Sequence, residues 1–259
     1  MQYLEAVILG IIQGLTEFLP ISSSGHLVLF QKLFGLEEGN LTFDTMLHLG
    51  TLLAVFIIFW DDIVAMIKQP FSKLSILVVA GTIPTAIIGL ALKDFFEQLF
   101  ASGRTIGVEF IITGLILWWA ESRPFGYKKI EDITLLDAGF IGVLQGAAIF
   151  PAISRSGLTI AGALFRGIER DTAARYSFLL SIPSILGAVV LQAKDIQKQG
   201  LGDVQLLPML VGTIVSAVFG YLAIKWMLRL IAGGKLKLFS YYVWFLGLVI
   251  VVAQLLGRF

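Results

Sequence analysis

The pattern of apolar and polar positions divides this 259-residue chain into two halves that repeat one order of elements. Each half begins with an apolar stretch that Pro, Ser and Gly interrupt, and three uninterrupted apolar segments follow. The uninterrupted segments have about the 20 residues that an α-helix needs to cross a bilayer. They cover residues 43–60, 74–93, 104–120, 173–193, 206–228 and 238–256. The pattern therefore predicts six transmembrane helices.

The two interrupted stretches, residues 3–34 and 134–168, need a different structure. The apolar pieces on either side of each interruption are too short to span a bilayer. We therefore predict two re-entrant helix–loop–helix hairpins, each entering and leaving on the same side. Irregular backbone at membrane depth is tolerated only where protein encloses it or it lines a cavity, so both loops are expected to lie at a protein-enclosed cavity.

Residues 10–25 align with residues 142–157 without a gap and share eight identities in sixteen positions. The chain is thus a duplication within a single membrane domain, residues 1–259, with repeat A at about 1–121 and repeat B at about 133–259. Three crossings per half give the halves opposite orientations, which is the inverted-repeat plan of many transporters. Both copies also contain Gly-xxx-Gly, which permits close helix packing. The predicted fold class is an all-α polytopic membrane protein with an inverted-topology repeat.

Composition agrees with a multi-pass membrane protein. Hydrophobic residues make up 57% of the chain and charged residues 14%, against roughly 25% charged residues in soluble domains. The net charge of +1 argues against a nucleic-acid partner, and the absence of Cys excludes disulfides and thiolate metal sites. The N-terminus carries Glu5 and lacks a basic region, so no cleavable signal peptide is predicted. Loops opposite the termini carry about twice as many Lys and Arg, which predicts termini that face outward from a bacterial cytoplasmic membrane.

The two copies of the repeat differ at the positions that could carry chemistry. The differing pairs are Glu17 and Ile149, Ser23 and Arg155, and His26 and Leu158. One copy supplies an acid, a hydroxyl and an imidazole, whereas the other supplies a guanidinium. We therefore predict one composite site at which the two loops meet, with Glu17, Ser23, His26 and Arg155 as its catalytic residues.

Both loops combine hydroxyls with a predicted helix start, an arrangement that binds phosphate through backbone N–H groups. Arg155 favours this interpretation, because a guanidinium in an apolar stretch needs an anion and matches two phosphate oxygens. Simple capping by Ser and an internal Arg155–Glu17 ion pair are the structural alternatives. The predicted substrate-binding residues are Ser22, Ser24, Gly25, Ser154, Arg155, Ser156 and Thr159.

Gln13 and Glu17 are four residues apart and share one helix face. A carboxylate within an apolar stretch costs roughly 2.5–3.5 kcal/mol on insertion scales, so Glu17 is expected to act as a metal ligand or a base unless it lies at the interface. His26 is the candidate proton carrier beside Ser23. Spacing does not decide between Ser23, His26 and water as nucleophile. His48 and Asp44 are expected to pair with each other or to face the cavity.

With these residues assembled, the chain resembles the undecaprenyl-diphosphate phosphatase (bacitracin-resistance) family over essentially its whole length. The first family motif corresponds to Gln13, Glu17 and the Pro-x-Ser-Ser-x-Gly-His run at 20–26. The second, Pro-Gly-x-Ser-Arg-Ser-x-x-Thr, corresponds to residues 151–159, with Ala152 in place of the usual Gly. The turn there must therefore adopt a conformation that permits a Cβ.

The resemblance implies removal of the terminal phosphate of undecaprenyl diphosphate, which regenerates the lipid carrier for cell-wall synthesis, and a site open to the outside. It also implies dependence on Mg²⁺ or Ca²⁺, for which Gln13 and Glu17 are the candidate ligands. The expected partners are a polyprenyl diphosphate and the lipid bilayer, and the sequence is compatible with a homodimer. The main alternative is a lipid-phosphate transporter or flippase, for which a nucleophile and base in one repeat only would have no evident use.

Overall fold

The structure, a computed structural model, describes residues 3–35, 41–199 and 206–258. These residues form twelve α-helices and one short 3₁₀-helix, Ile130–Asp132, and they contain no β-strand. The α-helices are α1 Tyr3–Phe18, α2 Ser23–Leu33, α3 Leu41–Ile58, α4 Trp60–Lys68, α5 Lys73–Ala91, α6 Lys93–Ser102, α7 Ile106–Glu121, α8 Leu135–Ala147, α9 Arg155–Phe165, α10 Arg170–Gln199, α11 Leu206–Ala232 and α12 Leu236–Leu255. The predicted all-helical class is confirmed.

Every predicted span contains a long helix, but α4 and α6 were not predicted. Four helices are long and apolar enough to cross a membrane: α5, the 170–191 part of α10, α11 and α12. Two more spans result if each bent helix pair is counted once, α3 with α4 at 81° and α6 with α7 at 110°. The short helices, of nine and ten residues, lie at the ends of the predicted apolar segments and carry charged residues, among them Asp61, Asp62 and Asp94. They are too short and too polar for a pattern of membrane-length segments to predict them.

The two interrupted stretches form paired short helices, as the sequence predicted. The first pair, α1 and α2, is separated by residues 19–22, and the second, α8 and α9, by residues 148–154. Corresponding serines end the two interruptions as N-caps. The side chain of Ser22 accepts a hydrogen bond from the Gly25 N–H, and that of Ser154 accepts one from the Gly157 N–H. The repeated Ser-x-x-Gly spacing thus encodes the same helix start twice.

Each of these short helix pairs packs against a long helix of the other half of the chain. The first helix, α1, lies against α11, and its counterpart α8 lies against α5. Glycines make the approach possible, since a Cβ on Gly10 would lie 2.6 Å from the carbonyl oxygen of Gly212, and one on Gly142 would collide with the carbonyl oxygen of Gly81. The predicted packing role of the Gly-xxx-Gly segments is therefore confirmed. Each short helix pair is therefore held against the other half of the chain.

Buried ion pairs fix the other end of the second hairpin. The fully buried carboxylate of Asp137, in the first turn of α8, accepts hydrogen bonds from Lys128 at 3.0 Å and from Arg166 at 2.5 Å. Arg170, at the start of α10, donates to Glu121 at 2.6 Å. The pairs of Asp137 tie α8 to the end of α9 and to the polar connector before it, and the Arg170–Glu121 pair ties the start of α10 to the end of α7.

Candidate active site

The turns of the two short helix pairs contact each other directly. The hydroxyl of Ser22 donates to the carbonyl oxygen of Pro151 at 3.0 Å, and the hydroxyl of Ser156 donates to that of Leu19 at 3.0 Å. All four residues are buried. The prediction that the two loops meet, despite about 130 residues of separation, is confirmed.

Glu17 is the centre of the cluster that these turns create. Its Oε1 accepts a hydrogen bond from the Arg155 guanidinium at 2.6 Å. Its Oε2 accepts one from the Ser23 hydroxyl at 2.6 Å and one from the Gln13 amide at 2.9 Å. Glu17 is therefore the group through which the acid, hydroxyl and guanidinium of the predicted composite site meet.

The expected alternative of an internal Arg155–Glu17 ion pair is present in the structure, with 5% of the Glu17 side chain and 16% of the Arg155 side chain exposed. This pair uses only one of the two terminal nitrogens of the guanidinium. Its other terminal nitrogen, Nη1, is buried and has no hydrogen-bond partner among the described residues. A buried donor without a partner is costly, so this nitrogen is available to an incoming anion.

His26 lies at the start of α2 but makes its side-chain hydrogen bonds away from Ser23. Its Nδ1 lies 2.7 Å from the carbonyl oxygen of Ser22, and its Nε2 lies 2.8 Å from the hydroxyl of Tyr242 on α12. A carbonyl only accepts, so Nδ1 carries a proton, and the Nε2 of a neutral ring then accepts from Tyr242. The expected His26–Ser23 pair is thus replaced by Glu17–Ser23, because both imidazole nitrogens have other partners.

Tyr242 is a residue that the sequence did not single out. Its ring stacks on His26, with centroids 5.7 Å apart and planes at 12°, while Phe110 packs edge-on against the other side at 5.4 Å. The orientation of the imidazole is therefore set from α7 and α12.

We expect Tyr242→Phe to lower kcat/KM about fivefold, because one hydrogen bond of about 1 kcal/mol to the imidazole is lost while the stacked ring remains. Phosphate release from a polyprenyl diphosphate measures this effect. The matched control is Tyr241→Phe, since Tyr241 packs against Trp118 and Trp244 instead. Equal activity of the two variants would contradict a role for the Tyr242 hydroxyl.

His48 belongs to the cluster, which the sequence left open. Its Nδ1 lies 2.8 Å from the Gln13 amide nitrogen and 3.3 Å from Glu17 Oε2. Asp44, the partner that the i, i+4 spacing suggested, instead accepts a hydrogen bond from Gln31 at 2.8 Å. The helix face that carries His48 points at α1, and only the packing of α3 beside α1 reveals this.

The backbone at the first turn is strained. Ser22 has φ 66° and ψ 103°, and it is the only non-glycine residue with positive φ in the described parts of the chain. The corresponding residue of the second turn, Ser154, has an ordinary φ of −73°. Such strain persists only where surrounding contacts hold it, and it is concentrated at functional sites. Ala152, which replaces the expected glycine, has no positive φ, so the prediction of a Cβ-compatible turn is confirmed.

The remaining predicted phosphate-binding residues have different roles in the structure. Ser22 and Ser154 use their hydroxyls as helix caps. Ser24 is only partly buried, and Gly25 lets the loops approach closely, since a Cβ there would lie 3.0 Å from the Cβ of Ala152. Thr159 is fully buried and bonds to the carbonyl of Arg155 and to Ser177. Thr159 therefore supports α9 rather than facing the loops.

The described residues contain no group of three or more His, Asp or Glu that could hold a metal ion by itself. One observation nevertheless suits a hard cation. The side-chain oxygen Oε1 of Gln13 is buried and finds no partner in the part of the chain that the structure describes. This amide oxygen and the Glu17 carboxylate are the oxygen ligands that Mg²⁺ and Ca²⁺ prefer. These two groups do not complete the coordination of either ion, so further oxygen ligands would have to come from outside this pair of residues.

Comparison with known proteins gives a consistent result. A family described as the bacitracin resistance protein BacA matches residues 6–249. An undecaprenyl-diphosphatase of Carboxydothermus hydrogenoformans is 58% identical over 261 residues, which cover 100% of both chains. Undecaprenyl-diphosphatase 4 of Bacillus thuringiensis is 54% identical over 254 residues, or 98% of each chain. The undecaprenyl-diphosphatase of Halothermothrix orenii is 47% identical over 97% of this chain and 98% of its own.

Proposed function

Because the chain belongs to the family of the bacitracin resistance protein BacA, we propose that it is an undecaprenyl-diphosphatase, as its relatives are named. It is a multi-pass membrane enzyme that hydrolyses undecaprenyl diphosphate to undecaprenyl phosphate and inorganic phosphate. The reaction recycles the lipid carrier for cell-wall synthesis.

The observation that carries this proposal is the cluster of Arg155, Glu17 and Ser23. The Glu17 carboxylate accepts hydrogen bonds from the Arg155 guanidinium and from the Ser23 hydroxyl, each at 2.6 Å. Arg155 also has a buried nitrogen without a partner among the described residues. These groups together form a site for an anionic, hydrolysable group. The deciding experiment is phosphate release from a C55 or C15 diphosphate by the purified protein, with Arg155→Ala as the inactive control. Absence of release by the wild-type protein would overturn the proposal.

We propose that the diphosphate binds at the N-termini of α2 and α9, where backbone N–H groups can donate hydrogen bonds to phosphate oxygens. Arg155 uses Nη1 for a phosphate oxygen and exchanges its Glu17 partner for a second one. A guanidinium forms such paired bonds with phosphate readily. Glu17 is thereby released towards the hydroxyl of Ser23.

The 2.6 Å hydrogen bond from Ser23 to Glu17 supports Ser23 as the nucleophile and Glu17 as its base. The Ser23 oxygen forms a bond to the terminal phosphorus, its proton passes to Glu17, and the bond to the bridging oxygen breaks. Undecaprenyl phosphate leaves with the electron pair. Glu17 gives the proton to the departing phosphate and becomes a carboxylate again. Water then attacks the phosphoseryl group and passes one proton to Glu17. The bond between phosphorus and the Ser23 oxygen breaks, and Glu17 returns the proton to that oxygen as inorganic phosphate leaves. His26 donates its Nδ1 proton to the Ser22 carbonyl oxygen and accepts from Tyr242 through Nε2, so the neutral ring holds the start of α2 in place beside Ser23.

We propose Mg²⁺ or Ca²⁺ as cofactor, held by Glu17 and the Gln13 amide oxygen, with phosphate oxygens completing the coordination. When bound, the cation neutralises charge on the diphosphate. The unpartnered Gln13 oxygen supports this assignment. Chelation should abolish activity, and Gln13→Glu, which adds a carboxylate, should lower the Mg²⁺ concentration for half-maximal rate. An unchanged requirement in that variant would exclude position 13 as a ligand.

A lipid-phosphate transporter is the alternative function, and it is not favoured. Symmetric transport would need similar groups in both halves. Here the acid and the hydroxyl come only from the first turn, and the relatives carry names of hydrolases. Transport would leave the Ser23–Glu17 contact without a use.

We further propose the finer architecture: six transmembrane spans, two re-entrant hairpins and an inverted repeat in the bacterial inner membrane. The packing of the two halves supports this architecture. Helix α1 of the first half lies on α11 of the second half, and the equivalent helix α8 of the second half lies on α5 of the first. The excess of basic residues opposite the termini supports termini and an active site that face outward.

This orientation makes a testable prediction at position 24, since the chain contains no Cys. We expect a Ser24→Cys variant in intact cells to react with a membrane-impermeant thiol reagent, because the first hairpin opens to the side of the termini. A diphosphate substrate analogue should slow the labelling. Labelling confined to inside-out vesicles would reverse the proposed orientation.

A further inference from the structure

We propose that Glu109 and Thr113 of α7 are positioning residues that hold the Arg155 loop in its catalytic orientation. Neither belongs to the repeated motifs, and no sequence pattern singled them out. The proposal rests on the proposed phosphatase function and assigns part of its machinery to a helix outside both hairpins.

The two side chains bind the backbone of the turn just before Arg155. Glu109 Oε2 accepts a hydrogen bond from the N–H of Ala152 at 2.6 Å. The hydroxyl of Thr113 donates to the carbonyl oxygen of Ala152 at 3.1 Å and accepts from the N–H of Ser154 at 3.2 Å. The Thr113 hydroxyl thus acts as both donor and acceptor towards the backbone of residues 152–154. Three hydrogen bonds anchor residues 152–154 to α7.

The placement of these two residues follows from helix geometry. Glu109 and Thr113 are four residues apart, so they lie on one face of α7, one turn above the other. Phe110 on the same helix packs against His26. One helix therefore sets the position of the Arg155 turn and one side of the His26 pocket.

Burial indicates that the contacts are strong and specific. Glu109 is 4% exposed and Thr113 is fully buried. A carboxyl group inside an apolar helix is costly and is retained where it has a function. A buried hydrogen bond in a low-dielectric interior is also costly to break. The turn before Arg155 is consequently fixed before substrate arrives.

Both turns then become a single unit. Pro151 is held by the Ser22 hydroxyl from the first turn, and Ala152 and Ser154 are held by α7. Ser154 caps α9, whose first residue is Arg155. A shift of residues 152–154 would therefore displace the guanidinium from Glu17 and from the phosphate, and displacement by about 1 Å can cost a hundredfold in rate.

The experiment compares disruptive and conservative substitutions at both positions in the full-length protein. Thr113→Val removes the hydroxyl but keeps the shape, whereas Thr113→Ser keeps the hydroxyl. Glu109→Leu removes the acceptor, whereas Glu109→Gln keeps an acceptor oxygen. Phosphate release gives kcat and KM, thermal unfolding reports stability, and amide hydrogen exchange at residues 152 and 154 reports the contacts without reference to activity.

We expect Thr113→Val and Glu109→Leu to lower kcat about tenfold to a hundredfold and to speed exchange of the two amides. Thr113→Ser and Glu109→Gln should restore slow exchange and keep kcat within about threefold of wild type, since their hydrogen bonds remain. Wild-type kcat in the Val and Leu variants would overturn the proposal. So would equal losses in the conservative pair, because those would reflect packing alone.

Two further outcomes keep the test decisive. If the Val and Leu variants fail to fold, fast exchange of the Ala152 and Ser154 amides in the wild-type protein still overturns the proposal, whereas slow exchange with active Ser and Gln variants supports it. If the wild-type protein releases no phosphate while both amides exchange slowly, the proposed phosphatase function fails, and the positioning role for that reaction fails with it.

Discussion

Replacing Ser23 by Ala is expected to lower kcat about a thousandfold or more, because the group that attacks phosphorus is removed while the substrate-binding residues remain. Losses of this size accompany removal of nucleophiles in other hydrolases. The Ser23 hydroxyl donates to Glu17 at 2.6 Å and is 8% exposed. Single-turnover phosphate release with saturating substrate separates this chemical effect from binding.

The matched control for Ser23 is Ser240→Ala on α12. Ser240 is also buried, and its hydroxyl has no partner among the described residues, so its removal should leave both stability and rate near wild type. A Ser23→Ala enzyme with a rate within tenfold of wild type would show that water attacks directly. In that case Glu17 would act as the base for water, and no labelled phosphoenzyme would form from substrate carrying a radioactive terminal phosphate.

Arg155→Lys is expected to lower kcat/KM at least tenfold, on the order of 1.4 kcal/mol, although the charge is kept. A lysine ammonium is a point charge and cannot bind two phosphate oxygens through parallel donors. In the structure one terminal guanidinium nitrogen binds Glu17 at 2.6 Å, and the other terminal nitrogen has no partner among the described residues. The variant should bind the diphosphate in a looser geometry, so kcat should fall more than KM rises.

Arg175→Lys provides the matched control, since Arg175 is half-exposed and pairs with Asp62 away from the two turns. An exposed ion pair contributes little, so this variant should behave as wild type. Turnover of Arg155→Lys equal to that of Arg175→Lys would reduce Arg155 to a counter-ion for Glu17. The effect of Arg155→Ala would then have to come from loss of that ion pair alone.

The sequence predicted much of this architecture because its signals are local. Apolar runs of membrane length, broken by Pro20 or Pro151 and by Ser-x-Ser-Gly, identify long helices and hairpins without any knowledge of their neighbours. The duplication of residues 10–25 at 142–157 added one long-range fact, that two equivalent turns exist. From it followed the meeting of Glu17, Ser23 and Arg155, which the structure confirms.

Positions that depend on which helices face each other could not be predicted in this way. The bends beside α4 and α6 fall at the ends of the predicted apolar segments, and these two short helices carry charged residues, so no apolar run of membrane length predicts them. The sequence left open whether His48 pairs with Asp44 or faces the cavity. His48 lies beside Gln13 and Glu17 because α3 packs near α1.

By itself, the sequence determined the long apolar helices, the repeat and the meeting of Glu17, Ser23 and Arg155, because helix period, span length and a duplicated motif are properties of the chain. Only the tertiary structure decided the partners of His26 and the anchoring of the Arg155 turn. Tyr242, Glu109 and Thr113 are single polar residues in apolar helices. The helical period predicts which residues share a face, but it does not predict which element that face contacts. The packing of α7 and α12 on the two turns supplies that information.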